Sequence, residues 1–323
     1  MQSTNSQKII LSNLKRKIVG DSKNVIPSKK ARSYCPQLFS IPDSVIYYIT
    51  KNPATLKLYK SIVKTCKYFF AKNPILIIPL LQAWHNSGNE KDKKQEWKIS
   101  FNENSVDFDK ISAAKLWITD GIEVQNEIEN RSDPFFSSTI LPKIYQCDIT
   151  SFEINNQNLS FKDFCFITSN VGQIPHLEGL TIKYDNGKVV PLEKILEVFP
   201  ELSEFHWDIM GTPNIITSET VKELLKFQNF GNIDFFDLTD VPEIFDIESF
   251  YAHIKKNKNT FIGIAFCDDI SQEYKNRLQA IVNEILQTEN REYTMPLIEF
   301  PGNDELSRNE MLTIYLAEIR ECF

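Results

Sequence analysis

The sequence predicts an α/β chain in which a helical N-terminal module precedes strand–helix units that pair in parallel. Three observations predict it. Short β-like runs are each followed by a run with helical spacing. The strand starts recur at near-regular intervals. A strongly amphipathic helical stretch lies ahead of all of them. With 323 residues, 42% hydrophobic and 12% aromatic, the chain has the material for a sizeable core.

Residues 1–35 hold eight Lys or Arg against one Asp, a charge of +7 that leaves −14 for the rest of a −7 chain. The segment is polar, rich in Ser and Asn, and without sustained periodicity, so it is predicted to be a disordered basic tail. Its two clusters, Lys15-Arg16-Lys17 and Lys29-Lys30-Ala31-Arg32, resemble a bipartite nuclear-import signal. A merely solvated tail is the other reading. The acidic remainder disfavours nucleic acid as a partner, because phosphate binding needs clustered positive charge.

From residue 36 to 81 the chain is expected to be helical and apolar, and residues 36–85 are assigned to a helical module. Pro42-Asp43-Ser44 suits a helix start, and Val45, Ile46 and Ile49 follow on one face. This helix ends near Asn52-Pro53. In the next segment Tyr59, Ile62, Val63, Cys66, Phe69 and Phe70 fall at helical spacing with Lys57, Lys60, Lys64 and Lys67 mostly opposite, which predicts one amphipathic helix stopped before Pro74. Residues 86–98, NSGNEKDKKQEWK, read as a charged linker.

Residues 99–323 are assigned to the repeating α/β domain. Strands are expected at 114–124, 150–156, 177–184, 202–209, 232–238 and 260–266, and helices at 161–170, 192–199, 218–227, 247–257 and 271–288. Strand starts at 150, 177, 202, 232 and 260 lie 25 to 30 residues apart. One strand and one helix per unit at such a period is the pattern of a leucine-rich-repeat-like α/β solenoid with a parallel sheet. An ordinary open α/β sheet is the alternative. A last strand and a closing helix from about Ser307 complete the chain.

Motifs for chemistry are few. Ten glycines include no GxGxxG or P-loop spacing, so no cofactor is expected; Gly187-Lys188 in DNGK reads as a turn. No GxSxG or HExxH is found. Cys35, Cys66, Cys147, Cys165, Cys267 and Cys322 are scattered, with no CxxC and no closely spaced His partner, so neither zinc nor a disulfide framework is indicated and core packing is expected. Asp268-Asp269 and Asp237/Asp240 follow strands and precede helices, where Asp commonly caps, so capping or plain solvation is expected rather than catalysis or metal binding. In the strand containing His206-Trp207 one side chain should face in and the other out. No run approaches the roughly 18 apolar residues of a membrane span, and the N-terminus lacks a signal-peptide core, so no membrane is expected and an intracellular setting, cytoplasmic or nuclear, is read.

At residues 38–78, LFSIPDSVIYYITKNPATLKLYKSIVKTCKYFFAKNPILII, the chain resembles an F-box. Ile41-Pro42 stands for the family's Leu-Pro, Thr65-Cys66-Lys67-Tyr68-Phe69 for its Val-Cys-Lys-x-Trp/Phe motif, and Asn73-Pro74-Ile75-Leu76 for its closing Asp-Pro-x-Leu. The match spans about forty residues. The departures are Ile41 for Leu, Thr65 for Val and Phe69 for Trp. The stretch from FKDFCFITSN to SEFHW is similar to the divergent repeats that follow the F-box in large nematode-expanded families. The resemblance implies a non-enzymatic adaptor: a Skp-family ubiquitin-ligase subunit would dock on Leu38, Ile41, Pro42, Val45, Ile46, Ile49, Leu58, Ile62, Val63, Cys66 and Phe69, and the repeat domain would bind a protein target. The competing expectation is an interaction or regulatory protein, nuclear or cytoplasmic, whose F-box-like helices only cap the α/β domain and whose repeats bind a partner without recruiting a ligase. An α/β enzyme is the third and least supported.

Overall fold

The computed structural model describes residues 42–85, 97–101, 104–106, 113–126, 136–171, 173–199, 201–227 and 230–322. The basic tail with Lys15, Arg16, Lys17, Lys29, Lys30 and Arg32 lies outside the described residues, as do Leu38, Ile41 and residues 86–96. The chain divides into two compact units, Met1–Leu76 with Asp107–Lys115, and Ile77–Val106 with Leu116–Phe323.

Three short helices form the described part of the first unit: Asp43–Lys51, Leu56–Thr65 and Lys67–Lys72. Pro42 precedes the first, Asp43 sits in its first turn where the helix dipole favours an acid, and Lys51 in its last. Thr55 caps the second, its hydroxyl accepting from the Leu58 amide at 3.2 Å. The single helix expected over 56–73 is broken at Cys66, which is extended at φ −149°, ψ 125°. Its amide donates to Ile62 O at 3.0 Å, closing one helix, and its sulfur accepts from the Tyr68 amide at 3.3 Å, opening the next. Periodicity cannot reveal such a break, because the apolar spacing runs across it.

The first unit closes around Tyr59 and Asn73. The buried Tyr59 hydroxyl accepts from Ile75 N at 3.0 Å and lies 3.0 Å from Ile75 O and 3.3 Å from Asn73 O as donor. Asn73 Nδ2 donates to Thr50 O at 2.8 Å, tying the end of the third helix to the end of the first.

The helical expectation for 75–81 is overturned: Ile75–His85 is strand β1. Trp97–Phe101, partly assigned to the linker, is β2, followed by β3 (Asn104–Val106). An apolar run of this length, rich in Ile and Leu and interrupted by Pro79, has no helical period to hold it.

The remaining strands are β4 (Lys115–Asn126), β5 (Ile144–Cys147), β6 (Ser151–Asn155), β7 (Asn158–Ser160), β8 (Gln173–Glu178), β9 (Thr181–Lys183), β10 (Glu204–Asp208), β11 (Phe235–Val241), β12 (Phe261–Phe266) and β13 (Leu297–Glu299). Among the described residues, eleven strands form one sheet ordered β13-β12-β11-β10-β8-β6-β4-β1-β2-β3, with β5 beside β4, while β7 and β9 pair separately. From β4 to β13 the neighbours are parallel, and they stand in the order in which the chain makes them. The β1–β2–β3 end is antiparallel, so the sheet is mixed.

Five expected strands, at 114–124, 150–156, 202–209, 232–238 and 260–266, correspond to β4, β6, β10, β11 and β12. The strand expected at 177–184 is corrected. The main-sheet strand is Gln173–Glu178, and Thr181–Lys183 belongs to the small sheet. Between them Gly179 turns the chain at φ 57°, a conformation glycine adopts without steric cost.

Helices Phe161–Thr168, Leu192–Leu196, Thr220–Leu224, Ile247–Ile254 and Gln272–Gln287 follow the strands, and Glu305–Cys322 closes the chain. For two of these helices the capping side chain comes from another residue, while Asp268 and Asp269, expected to cap or to be solvated, are exposed. Asp246 accepts from Ser249 N for the helix Ile247–Ile254, and Ser271 accepts from Tyr274 N for Gln272–Gln287. Asp237 lies inside β11 instead, and Asp240 adopts a left-handed φ of 62°.

Strand alternation divides the sheet into two faces. Phe152, Phe205, Trp207, Phe236, Leu238, Ile264 and Ile298 are buried on one. Phe152 meets Phe164, Phe236 meets Phe250, and Phe266 meets Tyr274, each a strand residue against a helix residue. The helices thus cover this face from β6 to β12.

Candidate functional site

The opposite face of the sheet carries a polar and aromatic surface. Across its rows stand Glu123 and Glu153, paired in register on β4 and β6. Glu178 pairs with Asp208 on β8 and β10, and His206 with Asp237 on β10 and β11. Trp207 points inward at 1% exposure. His206 points outward, its side chain 32% exposed, with Nδ1 3.5 Å from Asp237 Oδ2. The outward imidazole and inward indole match the alternation expected of this strand.

An aromatic ladder crosses four elements on this face. His206 stacks on Phe235 at 6.4 Å and 27°, Phe235 on Phe261 at 5.4 Å and 21°, and Phe261 meets Tyr315 edge-on at 5.9 Å. Tyr315 belongs to the helix Glu305–Cys322, which is anchored at the sheet edge. Arg308 Nε donates to Glu299 Oε1 at 2.6 Å, Met311 is buried against β13 with Sδ 3.3 Å from Ile298 N, and Glu318 pairs with Arg291 and accepts from Met295 N at 2.7 Å. Burial, then the nearby Asp237 carboxylate, push the Tyr315 phenol above its ordinary range. The ladder therefore runs from a half-exposed imidazole to a wall formed by the closing helix.

Gly263 shapes the floor. A side chain there would collide with the Asp237 carboxylate, so this glycine lets Asp237 lean across β12. Carboxylates also gather at the C-terminal ends of β10–β12. Burial, then Asp208, Asp269 and Asp268, raise the Asp240 carboxyl above its usual range. Among the described residues no group of three or more His, Cys, Asp or Glu could hold a metal ion.

The residues expected to dock a Skp subunit are divided by the structure. Ile46 and Cys66 are buried. Ile49, Ile62, Val63 and Phe69 are half-buried and Pro42 is exposed. Val45 and Leu58 are exposed at 42% and 43%, and Tyr47, Tyr48 and Tyr68, absent from the expected set, are exposed too. Helical spacing identifies an apolar face but does not tell which of its members the unit consumes internally.

Two of the described cysteines have thiols held well above their ordinary range. Burial pushes Cys147 up to about 12, and burial with the Asp269 hydrogen bond pushes Cys267 up to about 11. A thiol so raised is protonated at neutral pH and a poor nucleophile.

The in-and-out alternation of His206 and Trp207 is visible in the sequence, but Phe235, Phe261 and Tyr315 are not marked there as neighbours of His206. Their signal exists only in the register that sets β10, β11 and β12 side by side. Among the described residues no helix is long and apolar enough to cross a membrane. The chain matches no protein-family model, no curated protein and no solved structure.

Proposed function

We propose that this protein is a non-enzymatic adaptor. Its N-terminal helices dock a Skp-family subunit of a cullin ubiquitin ligase, and its sheet unit, read as a leucine-rich-repeat-like solenoid, holds the protein to be ubiquitinated. The observation that carries the docking half is the exposure of Val45 and Leu58 on the helical unit. Exposed aliphatic groups on a small helical module favour a hydrophobic partner surface. The solenoid reading is supported by the one-way strand order from β4 to β13, since laying each strand beside its predecessor is how stacked repeats grow. The adaptor works in the cytoplasm or the nucleus, where the basic clusters of the tail would serve import.

Ile46 and Cys66 favour a second reading. Both belong to the expected docking set yet are buried, as they would be if the helices were purely structural. The sheet unit would then bind its partner with no ligase recruited.

Co-purification of the full chain with a Skp subunit separates the two. The test variant is Val45→Asp with Leu58→Asp, which charges exposed positions and leaves the buried Ile46 intact. Retention by the unmodified chain and loss in the variant, with circular dichroism unchanged, supports the adaptor. A folded chain that retains no Skp subunit sinks it and leaves the second reading.

A further inference from the structure

Among the described residues, the strand positions of the outward sheet face carry acidic groups beside two partly exposed aromatic rings. Glu123, Glu153, Glu178, Glu204, Asp208 and Asp237 occupy outward register positions on five parallel strands. Among the described residues at these positions, from Gly121 to Glu299, no Lys or Arg stands; Arg308 comes from the closing helix and pairs with Glu299. The asymmetry is specific to this face, because Lys194, Lys222, Lys226 and Lys255 of the helices each have a Glu partner.

Charge alone would attract any cation, but the ladder adds shape. His206 and Phe235 form a partly exposed aromatic strip across β10 and β11, with Phe261 buried next to it against Tyr315, Glu204 beside Phe235 in register and Asp237 between His206 and Gly263. Long basic side chains suit such a strip, since their methylene stems lie on apolar surface while their heads stay with water and carboxylates. An acidic partner would meet like charge, which discriminates strongly against it.

We propose that this face docks an extended, lysine- or arginine-rich segment of a partner protein. The segment lays its basic stems along His206 and Phe235 and sets their heads against Glu204, Asp208 and Asp237. The proposal rests on the adaptor reading for its biological sense, because it names the chemical class of the target. Its geometry does not depend on ligase recruitment.

Fluorescence anisotropy of the full chain with a labelled peptide of alternating arginine and serine tests it, with a glutamate–serine peptide for comparison. Saturable binding of the arginine peptide alone is expected, weakening as salt is raised. Glu204→Lys with Asp237→Lys should weaken it at least about tenfold. Glu273→Lys with Glu289→Lys, the same charge change at exposed positions of the helical layer, should alter it by no more than about twofold. If the first pair fails to fold, Glu204→Gln with Asp237→Asn removes the same charges with little change of shape and should also weaken binding. Equal losses in the two lysine pairs, equal binding of both peptides, or no saturable binding would overturn the proposal. Skp co-purification on the same preparations keeps the outcomes apart: peptide binding without Skp retention rejects the ligase reading only, and Skp retention without peptide binding rejects this inference only.

Discussion

Gly263 and Asp237 are register partners on β12 and β11, and the glycine leaves the space that the aspartate's carboxylate fills. Alanine is ordinarily better than glycine within a strand by about 0.5–1 kcal/mol. Here the added methyl would displace the carboxylate from His206. That partly exposed pair is worth at most about 1 kcal/mol, so Gly263→Ala is expected to cancel alanine's advantage and leave stability unchanged or lower by under about 0.5 kcal/mol in urea unfolding. In an Asp237→Ala background the same change should be stabilising, and an equal effect in both backgrounds would place the clash elsewhere.

Tyr59→Phe should act on the helical unit. The buried hydroxyl is the acceptor for the Ile75 amide and a donor to a backbone carbonyl. Removing it strands a buried amide, at about 1–3 kcal/mol. Hydrogen exchange at the Ile75 amide should accelerate at least about tenfold. Unchanged exchange would mean that another group takes over the bond.

The closing helix is predicted to depend on Glu318. This carboxylate pairs with Arg291, whose side chain is 13% exposed, and accepts from the Met295 amide. Glu318→Ala leaves a largely buried guanidinium without that partner, for a cost of about 1–3 kcal/mol. Limited proteolysis should then cut within Glu305–Cys322 sooner than in the unmodified chain, and an unaltered cleavage pattern would locate the anchor at Met311 and Arg308 instead.

Asp240 gives a pH prediction. Burial and the carboxylates of Asp208, Asp269 and Asp268 raise its folded pKa, so the protonated form is favoured on folding. The stabilisation is complete below the ordinary Asp value of about 3.9 and is lost as pH rises through the raised folded value. Asp240→Asn, which also suits the left-handed backbone, should raise the melting temperature at neutral pH. The gain should vanish below about pH 3.9 and shrink in high salt. A gain that is independent of pH would assign the effect to backbone preference alone.

The strand–helix rhythm was legible where burial alternates cleanly, as in Phe205 and Trp207 of β10 or Phe236 and Leu238 of β11. It failed where one residue decides the path. Gly179 at φ 57° splits an apolar run between two sheets, and Cys66 in an extended conformation splits a helix that periodicity joins. Pro175 within β8 lowered its strand signal. The outward face was only partly legible. His206 announces itself beside Trp207, but Phe235 sits in a Phe-Phe pair whose outward member cannot be told by type, and Tyr315 lies in a helix more than fifty residues beyond Phe261.

The one-way order of β4 to β13 bears on how such a chain could change. Every new strand needs a neighbour on one side only, so nothing in the sheet itself says when to stop. The stop is supplied from outside it, by the helix whose Met311, Arg308 and Glu318 grip the last edge. The width of the outward face is therefore a property of where that terminator is placed, and a whole strand–helix unit could be gained or lost ahead of it without rethreading what remains.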